Sequence, residues 1–68
     1  ELDKVAAAFE LVTDFYIEHG ENEIELRRAM NDRETVVKEQ IKVSTIKHMR
    51  TVLADAYQAA TGRQVGYE

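Results

Sequence analysis

The sequence predicts an all-α protein, a small bundle of three helices, or four if the last segment breaks, completed by self-association. Three observations lead there. Apolar residues recur at steps of three and four through most of the chain, the spacing that lines one side of a helix. Proline is absent, and the three glycines, at 20, 62 and 66, leave residues 21–61 without a strong breaker. No pair of alternating segments flanks a two-residue turn, so nothing reads as a hairpin of strands.

The first element follows from Leu2, Val5, Phe9, Val12 and Tyr16, with Ala8 and Phe15 beside them and Leu11 and Ile17 at the edges of the apolar arc. It is expected over about residues 2–19, closed by His19 and by Gly20 as a left-handed cap. Phe9, Phe15 and Tyr16 are expected in the core. Asn22 followed by Glu25 has the spacing of a capping box, which opens a short helix over about 23–31 carrying Ile24, Leu26, Ala29 and Met30. Residues 31–34 are polar and read as a turn or the next cap.

The third segment admits two readings. Ile46, Met49, Val52, Leu53, Ala56, Tyr57, Ala59 and Ala60 share one side, whereas Val36, Val37, Ile41 and Val43 point nearly opposite at 100° per residue. Either the helix breaks near 43–45 with Ser44 or Thr45 as cap, or one helix runs over about 33–61 and buries different sides against different neighbours. The lack of Gly and Pro favours the continuous helix. A strand over 35–46, rich in Val, Ile and Thr, is the local competitor, without a pairing partner. Residues 1–61 thus form one domain, and 62–68 an irregular tail or linker stub with Tyr67 exposed.

Size and composition narrow the function. At 68 residues and 44% apolar, with eight of the thirty apolar residues Ala, the chain is one marginal domain that needs tight packing or a partner. Without Cys it has no disulfide, thiolate zinc site or thiol nucleophile. No apolar run reaches the ~18 residues of a membrane span, and no signal-peptide pattern is present. A start at Glu1 suggests a processed chain or one cut from something longer, and the lack of Cys fits a cytoplasmic location.

Chemistry-bearing patterns are sparse. His19 and His48 lack carboxylate or His partners at helical spacing, so no metal site is expected. Ser44, the sole serine, has no base placed by a motif, and the glycines are isolated, so neither a hydrolase nor a phosphate loop is expected. No enzyme, cofactor or small-molecule substrate is expected, the chain being too short to enclose a ligand pocket.

Charge is segregated. Residues 1–26 hold eight acids and one base, whereas residues 27–50 hold seven bases and three acids. The basic middle either lies against the acidic first helix or forms a surface for nucleic acid. Residues 23–42 partly fit a helix-turn-helix through Leu26, Met30, Asn31 and Val37, but Arg27, Asp32 and Gln40 stand where small or apolar residues belong. On that alternative, a small helix-turn-helix-like DNA-binding module, the contacts to DNA are Arg33, Lys38, Lys42, Lys47 and Arg50.

The main expectation is a non-enzymatic interaction or oligomerisation domain, part of a larger protein or assembly. Val36, Val37, Ile41, Val43, Leu11 and Ile17 exceed what three helices can bury, and they are the expected contact with a second copy, as a homodimer or larger homo-oligomer, or with a helical protein partner.

Overall fold

The computed structural model describes residues 1–63, and within them the chain is a hairpin of two long helices, α1 (Leu2–Ala29) and α2 (Arg33–Thr61). They lie antiparallel along a rod of 46 × 16 × 15 Å. At 1.5 Å per residue each helix is about 42 Å long, so the rod is little more than the pair side by side.

The connection is built by local hydrogen bonds. Asn31 takes the left-handed conformation at φ 59°, which a short amide side chain tolerates better than most. Its N–H donates to the Arg28 carbonyl at 3.1 Å and the Asp32 N–H to the Arg27 carbonyl at 2.9 Å, the paired bonds of a Schellman stop. Asp32 then starts α2, its Oδ1 accepting from the Thr35 N–H at 3.2 Å. Arg27 stays within 3.7 Å of the other Asp32 oxygen, tying the end of one helix to the start of the next. Gly62 closes α2 in the left-handed region at φ 73°.

Several expectations change. The described chain is all-helical, but with two helices rather than three or four. The segments expected over 2–19 and 23–31 are one helix, and the Asn22–Glu25 cap is not used. Gly20 is helical and buried; it serves as a contact point, not a stop. The helix over 33–61 is continuous, with no break at 43–45 and no strand over 35–46. The tail expected over 62–68 lies, from residue 64, outside the described residues.

The seam explains Gly20. Ala6, Thr13 and Gly20 are buried at seven-residue steps on α1, and Val36, Val43 and Tyr57 fall on a seven-residue ladder of α2, with half-buried Arg50 as its fourth rung. Such a repeat drifts only ~20° per heptad in a straight helix, so each set keeps facing its partner over three turns of the pattern. Val36 and Val43 therefore join Ile46, Leu53 and Tyr57 on one side. The residues that truly face apart are Val37 and Ile41 against Met49 and Val52. Small α1 residues let the axes approach: a Cβ at Gly20 would stand 2.5 Å from Val43 Cγ2. The buried Thr13 hydroxyl donates back to the Phe9 carbonyl at 2.6 Å and so is satisfied.

Gly20→Ala would gain about 1 kcal/mol of helix propensity, but the close Val43 methyl imposes overpacking of about 1–3 kcal/mol. The expected result in thermal unfolding is a neutral or destabilised protein. In a Val43→Ala background the same substitution should stabilise by about 1 kcal/mol. Equal effects in both backgrounds would show that the two residues do not meet.

Candidate interaction surface

The narrow seam leaves large apolar side chains outside it. Among the described residues only Ala6, Val36, Val43 and Tyr57 form the buried apolar set, and no side chain is completely enclosed. Phe15 is 64% exposed and Leu11 73%, and Val5, Val12, Tyr16, Leu26 and Met30 are each about half or more exposed. Phe9 is half-buried. Phe15 and Tyr16, expected in the core, are on the surface because the side of α1 that meets α2 accepts only small groups.

These exposed residues share a face. Leu2, Val5, Phe9, Val12 and Tyr16 run along α1 in three- and four-residue steps that His19 and Glu23 carry on to Leu26 and Met30, on average about 80° around the helix from the seam at 100° per residue. Ala8, Phe15, Asn22 and Ala29 border this stripe on the side away from α2. Of the α1 acids, only Glu23 falls on the stripe, and the Arg27 Nε donates to it at 2.7 Å. Phe15 packs edge-on to Tyr16, with ring centroids 5.6 Å apart, and stacks on His19 at 6.2 Å.

The opposite flank is ionic. Lys47 Nζ donates to Glu21 Oε2 at 3.2 Å, and Arg50 Nη1 to Asp14 Oδ1 at 2.6 Å. Both pairs cross from α2 to α1. Residues two apart on a helix point ~200° apart, so Val12, Tyr16 and His19 face away from the flank of Asp14 and Glu21. By the same step Met49 faces away from Lys47. The apolar residues Met49 and Val52 thus lie on the same side of the rod as the α1 stripe, extending it across both helices at the level of Val12 and Tyr16.

The six residues expected to contact a partner separate. Val36 and Val43 are buried in the intramolecular seam, and Ile17 is half-buried beside it, so these three are engaged within one chain. Leu11, Val37 and Ile41 are exposed, the last two at 53% and 61%. The residues missed by sequence reasoning are Val5, Val12, Phe15 and Tyr16. The signal that could have found them is the ladder of Ala6, Thr13 and Gly20, which identifies the seam and leaves the bulkier stripe without an intramolecular partner.

The expected nucleic-acid contacts also separate. Lys47 and Arg50 bind α1 carboxylates, and Lys42 pairs with Glu39 at 3.0 Å. Arg33 and Lys38 are exposed near the turn. The helices around that turn run side by side, whereas a helix-turn-helix crosses its two at about 90–120°. No group of three His, Asp or Glu is placed to hold a metal among the described residues. No helix among them is long and apolar enough to cross a membrane.

A latch closes the open end. Asp3 accepts a hydrogen bond from the Tyr57 hydroxyl and another from Arg63 Nη2 at 3.1 Å, and the Arg63 guanidinium lies 5.7 Å from the Tyr57 ring centre. The Tyr57 hydrogen bond, more than the nearby Arg63 charge, holds the Asp3 carboxyl below the usual carboxylate range, and the same bond raises the Tyr57 phenol. Asp32 is lowered chiefly by its bonds to Thr35.

No family model, curated protein or solved structure matches this chain.

The latch has a defined pH response. A lowered carboxyl contributes stability above its unfolded pKa, which is lost as pH falls through the folded value; a raised phenol contributes below its unfolded pKa and loses it as pH rises through the folded one. Thermal midpoints are therefore expected to drop in acid below the ordinary carboxylate range and again in alkali above the ordinary tyrosine range. Tyr57→Phe should remove the alkaline loss and reduce the acid one, leaving the parts due to Asp32 and to the Arg63–Asp3 pair. An unchanged alkaline limb in that variant would assign it to another group.

Proposed function

We propose that this chain is a helical oligomerisation module, a hairpin whose work is to bind another copy of itself and not to catalyse a reaction. The observation that carries this reading is the unpaired apolar face: the helices meet through small residues, and most large ones point outward. A two-helix hairpin has no third layer to cover them. Burying a Leu, Phe or Met side chain contributes about 1.5–3 kcal/mol, so association is the strongest stabilising step open to so small a domain. The small bundle expected from the sequence would then be completed by two hairpins, giving four helices.

The ionic flank supports the same reading. Lys47 and Arg50 hold the two helices in register through Glu21 and Asp14. Ion pairs of this exposed kind add little stability but select orientation. A duplex-binding role would have to draw these cations, and Lys42, away from their carboxylates.

Sedimentation equilibrium at neutral pH and moderate salt tests the proposal. The expected particle is twice the 7.8 kDa chain or a larger whole multiple. A monomer persisting to high micromolar concentration would overturn it. Retention of duplex DNA at low salt by that monomer, lost at moderate salt, would transfer support to the nucleic-acid alternative.

A further inference from the structure

The apolar stripe on α1 has properties that identify its occupant and the symmetry of the contact. We propose that two copies pair through this face of α1, antiparallel, about a twofold axis passing between Phe15 and Tyr16. The inference rests on the oligomerisation reading above and adds which surface is used and how the copies are related.

Three observations converge. First, the aromatic group lies at the middle of the helix: α1 spans Leu2–Ala29, and Phe15 and Tyr16 flank its midpoint. An axis there overlaps the entire stripe with its mate, setting Leu2 near Met30 of the other copy and Val5 near Leu26. Interface energy concentrates on aromatic residues at the centre of a contact, and this axis puts each copy's aromatics against the other's.

Second, the face is nearly free of charge although the helix is strongly acidic. Asp3, Glu10, Asp14, Glu18, Glu21 and Glu25 lie off the stripe. Glu23, the exception, is bonded to Arg27. Two such helices approach without opposed carboxylates at the centre, and their acidic borders disfavour an anionic lipid surface as the occupant.

Third, the ends of the helix select direction. Antiparallel pairing sets the positive N-terminal end of each helix dipole beside the negative C-terminal end of its mate. It also brings Lys4 of one copy toward Glu25 of the other, two residues on the side of the stripe bordered by Ala8 and Ala29.

The chain has no cysteine, so single substitutions report the geometry by oxidation. Disulfides form only when Cα atoms come within ~7 Å. Phe15→Cys and Tyr16→Cys, next to the axis, should each give a covalent dimer. Val5→Cys and Leu26→Cys alone should not, because each lies ~30 Å from its own mate at 1.5 Å per residue; mixed together they should link to one another. Phe15→Asp should weaken the dimer at least about a hundredfold, since each copy loses a central aromatic contact, with helix content by circular dichroism retained. Val37→Asp plus Ile41→Asp, on the other exposed surface, should leave the dimer intact.

The outcomes separate. A dimer in which Val5→Cys links to itself, or which Val37→Asp plus Ile41→Asp dissociates while Phe15→Asp does not, would overturn the α1 face and its symmetry and leave oligomerisation standing. A monomer in every case would overturn both.

Discussion

The closeness of the two helices governs the rest of this structure. Ala6, Thr13 and Gly20 set the width of the seam, and at Gly20 the fit against Val43 leaves no room for a methyl group. A narrow seam brings backbones together and gains dense packing near the axis, but it encloses few large side chains. The apolar surface that a wider interface would have covered is displaced to the sides of the rod. The close packing of the hairpin and the bareness of its α1 stripe both trace to that one spacing.

Electrostatics reinforce the arrangement by dividing the sides. Acid and base meet across one flank through Glu21 with Lys47 and Asp14 with Arg50. This ionic rim lies away from the aromatic stripe, so a neighbour seated on the stripe need not desolvate these pairs. The hairpin thus presents a wet side and a dry side, and the dry side is continuous from α1 to Met49 and Val52 of α2.

The sequence made the helices legible and their pairing much less so. The run from 33 to 61 is readable as one helix because nothing in it breaks a helix, and the structure follows those bounds. Gly20 misled because glycine after a histidine resembles a stop; only the tertiary contact with Val43 shows why a residue without a side chain stands there. Phe15 and Tyr16 read as inward because they lie on the apolar arc of the first helix, yet this seam selects against size. Val36 and Val43 were set apart from the later apolar residues by 100° steps, whereas the seven-residue ladder keeps them together with Tyr57. The segregation of charge was plain in composition, but which cation meets which carboxylate depended on the antiparallel register.

The latch of Asp3, Tyr57 and Arg63 gathers the start of α1 and the end of α2 at one tip of the rod. Tension applied to those ends would therefore load the molecule as a zipper and not as a lap joint. The seam would peel rung by rung from Tyr57 toward the turn, each step breaking only one small contact. Such a hairpin yields gradually under mechanical force, and Asp32, at the far tip, would be the last to feel it.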